Sequence, residues 1–152
     1  MERNRIINRI IKRAELKANR DKKIYLFGDN LVEKGFGGQA KEMRGEPNAY
    51  GIPTKKYPTM ESKAFFTDSE YELNKRRIDK AIEKVPLGKE IVVPTIGVGL
   101  AKLPQKAPKT YKYLQLAIKR LLAKNESVMN GENIDFSDIP PLVDEDFEKM
   151  KC

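Results

Sequence analysis

The segments of this sequence with the clearest capacity for chemistry are two glycine-rich loops, each following a short apolar run. The first loop comes after residues 24–27 and contains Asp29, Asn30, Gly35, Phe36, Gly37 and Gly38. The second comes after residues 91–96 and contains Gly97, Val98, Gly99 and Leu100. A glycine-rich loop between a strand and a helix brings backbone N–H groups against a phosphate, because glycine lets a ligand approach the main chain closely. Together the loops predict a site for a diphosphate, although a plain structural turn would also explain the first one.

The chain lacks residue types that many catalytic and metal-binding sites require. There is no histidine, and the single cysteine is the last residue, Cys152. Nucleophile–histidine pairs, histidine general bases, an internal disulfide and most zinc sites are therefore excluded. Any catalysis must come from Lys, Asp, Glu, Tyr or backbone dipoles, and we expect neither a metal nor a cofactor.

Length and apolar patterning are those of one globular domain. A chain of 152 residues falls within the roughly 100–200 residues of a single domain and is long enough to bury a core. No apolar run approaches the roughly 20 residues of a membrane helix, and the N-terminus lacks the apolar core of a signal peptide. We therefore expect a cytoplasmic monomer that does not associate with a membrane.

Charge is distributed unevenly along the chain. Residues 125–152 hold eight acidic side chains against Lys149 and Lys151, so the total of +8 divides into −6 here and +14 over the other 124 residues. So basic a body favours an anionic partner such as a nucleotide or a nucleic acid. A solvated lysine-rich surface is the alternative explanation.

Apolar periodicity predicts an α/β fold. The runs at 24–27 and 91–96 have the character of buried strands, and the second is of the parallel-sheet kind. Helical spacing of apolar residues marks 4–19, 67–85 and 107–122, with Thr67 and Glu70 placed as a capping box for the second helix. The first helix has a basic outer side that either is ordinary surface or faces nucleic acid.

These elements divide the chain into three parts. Residues 1–22 form a basic N-terminal helix packed on the domain, 23–124 form the core, and 125–152 form a loosely structured acidic tail. Within the tail, 134–136 is a faint strand candidate and 144–150 a short helix. The charge of the tail predicts that it lies along the basic body or competes with an anionic ligand; a solvated tail is the alternative.

The order of motifs between residues 23 and 122 resembles that of macrodomains, the α/β modules that bind ADP-ribose. Their first loop has the form N-x-x-x-x-G-x-G-G, which is matched by Asn30, Gly35, Gly37 and Gly38. Their second loop commonly has the form P-x-I-x-x-G-x-x-x-x-P, which is matched by Pro94, Ile96, Gly99 and Pro104. A strand ending in Pro53-Thr54-Lys55 makes the likeness closer to the branch that contains the terminal ADP-ribose glycohydrolase and the antitoxins of DarTG systems.

The resemblance implies a fold, a ligand and an activity. The fold would be a single macrodomain-like three-layer α/β domain with a mixed, largely parallel sheet flanked by helices. The activity would be removal of ADP-ribose from a nucleic acid or a protein, with Lys55 and Asn30 as catalytic residues. The implied binding residues are Asp29, Gly35, Phe36, Gly37, Gly38, Thr54, Gly97, Val98, Gly99 and Leu100. The alternative is a protein that binds or sequesters ADP-ribose, or a related nucleotide signal, without cleaving it.

The sequence departs from the family at positions that matter for function. Macrodomains usually have an N-terminal strand with an aspartate that contacts the adenine, whereas this chain is predicted to begin with a helix. Acidic residues that follow the two loops in other members are replaced here by Ala40 and Ala101. These departures favour a binding protein, while Lys55 favours an enzyme.

A lysine can act on a glycosidic bond in a defined way. Cleavage at the anomeric carbon of ribose passes through an oxocarbenium-like centre. A neutral amine can attack this carbon and form a Schiff base with the opened sugar, provided that desolvation or nearby positive charge lowers its pKa. A simple phosphate contact is the alternative for Lys55, and a turn held by side-chain-to-backbone hydrogen bonds is the alternative for Asp29 and Asn30.

Overall fold

Four parallel strands organise the part of the chain that the computed structural model describes, namely residues 4–7 (as backbone), 9–35 and 37–131. The strands are β1 (Asn4–Ile7), β2 (Lys23–Asn30), β3 (Ala49–Lys55) and β4 (Glu90–Pro94), in the order β1-β4-β2-β3. The α-helices are α1 (Arg13–Ala18), α2 (Ala40–Met43), α3 (Tyr71–Glu83), α4 (Leu103–Lys106) and α5 (Pro108–Met129). The α/β class predicted from the sequence is confirmed.

Helices cover both faces of the sheet. Successive side chains of a strand point to opposite faces, so Ile24 and Leu26 pack in one core with residues of α3 and α5. Tyr25 and Phe27 pack in the other core, with residues of α1 and α2. This is the three-layer order that was predicted. The predicted mixed sheet is not seen among the described strands, which are all parallel; antiparallel pairing there is a single bridge between Lys55 and Phe65.

The helix predicted for residues 4–19 is wrong over its first half. Residues Asn4–Ile7 form β1, which pairs in parallel with β4, and helix α1 begins only at Arg13. The isoleucine pairs at 6–7 and 10–11 fit a helical stripe, but β-branched residues also suit a strand, and a partner far along the chain decides between them. Residues Asn4–Ile7 therefore add an edge strand to the sheet.

A helix cap was also assigned to the wrong residue. Thr67 makes no side-chain cap, and α3 begins only at Tyr71, after a 3₁₀ turn. The neighbouring carboxylate of Asp68 instead accepts hydrogen bonds from the N–H groups of Lys109 and Thr110, at 2.9 and 3.0 Å. The acid thus caps α5, a helix distant in sequence, which a local capping motif does not reveal.

Helix α5 extends beyond the predicted end of the core. The amide of Asn125 accepts a hydrogen bond from Gly88 N and donates one to Lys89 O, both at 2.7 Å, which ties the end of the helix to the turn before β4. The boundary placed at residue 125 therefore falls inside a helix. The predicted strand at 134–136 and helix at 144–150 lie outside the described residues. No helix in the described part of the chain is long and apolar enough to cross a membrane.

Connections leave the neighbouring strands β2 and β4 toward opposite faces of the sheet. After β2 the chain passes to α2, which packs in the core with Tyr25 and Phe27. After β4 it passes to α4 and α5, which pack in the other core. In open α/β sheets such a reversal creates a crevice at the carboxyl ends of the two strands, where ligands bind. Both glycine loops begin at this crevice.

Candidate functional site

A cleft of about 490 Å³ opens across the carboxyl ends of the strands. All the predicted site residues that the structure describes line it: Asp29, Asn30, Gly35, Gly37, Gly38, Thr54, Lys55, Gly97, Val98, Gly99 and Leu100. Phe36 lies outside the described residues. The sheet topology therefore brings together three motifs that are far apart in the sequence.

The two glycine loops approach each other closely. A methyl group on Gly37 would lie 2.7 Å from Leu100 Cδ1, so the loops are in contact across the cleft. At Gly97 φ is +88°, and a methyl group would lie 2.8 Å from Leu103 Cδ1, so this position requires glycine. By contrast, a methyl group on Gly99 would meet no atom within 4 Å. A ligand in the cleft can therefore approach the main chain at Gly99 without hindrance.

Lys55 is a buried amine in the cleft whose surroundings lower its pKa. Only 8% of the residue is exposed, and its Nζ donates a hydrogen bond of 2.6 Å to Thr59 O. The same nitrogen lies 4.8 Å from the centre of the Phe65 ring. Burial, with a smaller contribution from the positive charge of Lys102, lowers the pKa of the Lys55 ammonium. A larger fraction of this amine is therefore neutral at a given pH than for an exposed lysine.

A salt bridge that sequence reasoning missed holds the first glycine loop. The guanidinium of Arg44 bonds both carboxylate oxygens of Asp29, at 3.0 and 2.6 Å, and its Nε donates to Gly35 O at 2.9 Å. Bidentate arginine–carboxylate pairs are strong and fix the relative orientation of the two side chains. The Asp29 side chain is thus engaged within the protein, and its contact with a ligand stays a prediction. No local pattern links Arg44 to Asp29, because the pair forms only when α2 folds back against β2.

The amide of Asn30 is engaged in the same loop. Its Oδ1 accepts a hydrogen bond from Val32 N at 3.1 Å, and its Nδ2 donates one to Lys34 O at 2.7 Å. The hydroxyl of Thr54, which is buried, donates to Asp29 O at 3.1 Å. These contacts are those of the turn that was the alternative explanation for this sequence. A catalytic role for Asn30 stays a prediction.

The cleft also reaches residues that the sequence did not indicate. Arg9 and Ile10, which follow β1, line its far end. The Gln39 side chain accepts a hydrogen bond from Ile11 N at 2.8 Å and donates one to Ile11 O at 2.6 Å, so it fixes this segment to the end of the first glycine loop. Arg9 donates to Glu15 Oε1 at 3.0 Å. These residues were missed because the predicted helix placed them away from any strand end.

Acidic groups are scarce at the site. Ala40 and Ala101, the positions where the resemblance would place acids, both line the cleft. Asp29, bonded to Arg44, is the one carboxylate among the described lining residues. The described part of the chain also holds no group of three or more His, Cys, Asp or Glu side chains arranged to bind a metal ion. Two lysines are among the described lining residues, of which Lys34 is exposed and Lys55 is buried.

Most of the chain, including the cleft residues, matches a known protein family. Neither the curated proteins nor the solved structures gave a match. A family of unknown function, DUF7831, matches residues 6–117, which include β1, both glycine loops and Lys55. This match covers well over half of the sequence, and the chain therefore belongs to the DUF7831 family.

Proposed function

We propose that this protein binds ADP-ribose in the cleft and removes it from a macromolecule by covalent catalysis at Lys55. The observation that carries the proposal is a buried lysine with a lowered pKa at one end of a cleft whose middle is formed by two glycine loops. In this arrangement the diphosphate lies on the loops and the distal ribose lies beside Lys55. The resemblance of the motifs to those of macrodomains supports the choice of ligand.

The order of the strands supports this placement of the ligand. Strands β2 and β4, which lead into the two loops, are neighbours, and β3 lies beside β2 at the edge of the sheet. Because neighbouring strands are about 4.8 Å apart, the end of β3 is about one strand spacing from the first loop. A ribose joined to a diphosphate on the loops is therefore within reach of the Lys55 amine.

The proposed reaction uses the neutral form of Lys55. The amine attacks the anomeric carbon as the bond to the macromolecule breaks, and the leaving group takes the bonding electron pair and a proton. Opening of the sugar ring gives a Schiff base. Water then adds to the imine carbon and releases ADP-ribose with the free amine. The carbon stays at the oxidation level of an aldehyde, so no redox partner is required.

Activity should depend on pH through the Lys55 amine. Because only the neutral form attacks, kcat/KM should rise as pH increases through the pKa of Lys55, and the rise should occur below the pH expected of an exposed lysine. Lys102→Ala removes a positive charge near Lys55, so it should raise this pKa and move the rising limb to higher pH. Lys84→Ala, at the exposed C-terminal end of α3, is the matched control. A rising limb that stays in place in Lys102→Ala would remove this electrostatic effect from the mechanism.

A binding protein without turnover is the second candidate function. The observation in its favour is the scarcity of acids at the cleft, where the one described carboxylate, Asp29, is bonded to Arg44. No other acid is then available among the described lining residues to protonate the leaving group. In this case Lys55 would contact the ligand as an ammonium group.

Two measurements made together test the proposal and separate the candidates. Calorimetric titration with ADP-ribose should give saturable binding, and incubation with an ADP-ribosylated oligonucleotide or protein should release ADP-ribose. Binding with no release from either conjugate would favour the second candidate, and no binding would exclude both.

If the basic body contacts nucleic acid, affinity for the ADP-ribosylated oligonucleotide should fall more steeply with salt than affinity for free ADP-ribose, through counterion release.

A further inference from the structure

The proposed function assigns no role to Arg9 and Ile10, which line the far end of the cleft. Strands β1 and β3 are the two edges of the sheet, so Arg9 and Ile10 lie across the cleft from Lys55. The edges are three strand spacings apart, or about 14 Å. If the proposed function holds, with the diphosphate on the central loops and the distal ribose at Lys55, the nucleoside base falls beside Arg9 and Ile10.

Arg9 is fixed in position but retains donors for a ligand. Its Nη2 donates to Glu15 Oε1 at 3.0 Å, and the other oxygen of Glu15 accepts a hydrogen bond from the buried hydroxyl of Tyr25 at 3.1 Å. Toward the described residues, its Nη1 makes one long contact of 3.5 Å, to Ile10 O. A guanidinium has five N–H groups, and the Arg9 side chain is 55% exposed. Arg9 is therefore anchored through Glu15, and most of its donors have no partner among the residues that the structure describes.

Exposed apolar side chains that line the same cleft suit the flat face of a base. Ile10 and Leu100 are each 53% exposed and Val98 is 39% exposed, and all three line the cleft. The bonds between Gln39 and the Ile11 main chain hold the Ile10 segment against the first loop. The cleft thus offers exposed apolar side chains together with a cation, Arg9, that only donates hydrogen bonds.

We propose that Arg9 makes the base end of the cleft select purines with a carbonyl at C6, as in hypoxanthine and guanine, over adenine. Such purines present two acceptors, O6 and N7, which a guanidinium can bond together, whereas adenine replaces O6 with an amino donor. The described lining residues offer no unengaged carboxylate that could accept from that amino group. ADP-ribose still binds through its phosphates and ribose, with a less favourable contact at its base.

The test compares two ligands that differ only at the base, ADP-ribose and inosine diphosphate ribose, by calorimetry. Wild type should bind the inosine form about fivefold or more tightly than ADP-ribose. Arg9→Ala should make the two affinities equal, mainly by weakening the inosine form. Arg9→Asp should reverse the preference, because a carboxylate accepts from the adenine amino group and repels O6. Arg20→Ala removes the same charge at an exposed position after α1, before the opposite end of β2, and should keep the wild-type preference.

The possible results separate this inference from the function on which it rests. Equal affinities in wild type, a wild-type preference for ADP-ribose, or an inosine preference that survives Arg9→Ala would each overturn the role of Arg9 and leave ADP-ribose binding standing. A wild type that binds neither ligand would overturn the proposed function and the inference with it.

Discussion

Lys55→Ala should slow the release of ADP-ribose by about 10³-fold or more while changing the affinity for ADP-ribose little. The reason is that the amine forms a bond in the reaction, so its removal affects the transition state far more than the bound ground state. Single-turnover release from a conjugate measures the first quantity, and calorimetry with ADP-ribose measures the second. A variant that loses affinity and rate in equal proportion would instead indicate a simple phosphate contact.

Lys55→Arg separates nucleophile from cation at the same position. A guanidinium keeps the positive charge beside Phe65 but is almost never deprotonated, so it cannot attack a sugar carbon. We therefore expect this variant to be as inactive as Lys55→Ala. The matched control is Lys106→Arg, since Lys106 Nζ lies 5.1 Å from the centre of the same ring and has no role in the proposed reaction. Wild-type turnover by Lys55→Arg would contradict the covalent mechanism.

Gly99→Glu should weaken ADP-ribose binding by about 100-fold or more, because it places a negative charge where the proposed site holds phosphates. The substitution should leave the fold intact, since a side chain at Gly99 meets no neighbouring atom and φ there is not positive. Gly37→Glu should weaken binding for the same reason. It should also leave the fold intact, because its Cβ meets only the end of the Leu100 side chain. Calorimetry measures the affinity, and circular dichroism checks the fold.

The control for the glycine variants adds the same charge elsewhere. Val128 is 42% exposed near the C-terminal end of α5, away from the loops that form the cleft. Val128→Glu should therefore bind ADP-ribose as wild type does. If Gly99→Glu and Gly37→Glu both retain wild-type affinity, the glycine loops do not bind the phosphates.

The features that the sequence predicted are those set by local chemistry. Strands β2 and β4 are buried on both faces, so they appear as continuous apolar runs whatever packs on them. A glycine cluster directly after such a run predicts a loop at the carboxyl end of the strand. Lys55 was placed at a strand end because Pro53-Thr54-Lys55 resembles the end of a macrodomain strand. The gathering of all three in one cleft follows from parallel strands that end at the same edge.

The features that the sequence did not predict depend on contacts between distant segments. Strand β1 exists because residues 91–94 pair with it, and its isoleucines fit a helical pattern equally well. Arg44 engages Asp29 only after α2 folds against β2. The anchoring of Arg9 through Glu15 becomes visible only once β1 is placed. The base end of the cleft was therefore hidden until the edge strand was known.

Trapping the Schiff base tests the proposed mechanism most directly. Free ADP-ribose carries an aldehyde in its open form, so the protein can be incubated with ADP-ribose and cyanoborohydride, which reduces an imine to a stable amine. Mass spectrometry of the digested protein should then locate one predominant ADP-ribose adduct, on Lys55, and this adduct should be lost in Gly99→Glu. An unmodified Lys55, or adducts spread over surface lysines to the same extent in wild type and Lys55→Arg, would contradict covalent catalysis at this residue.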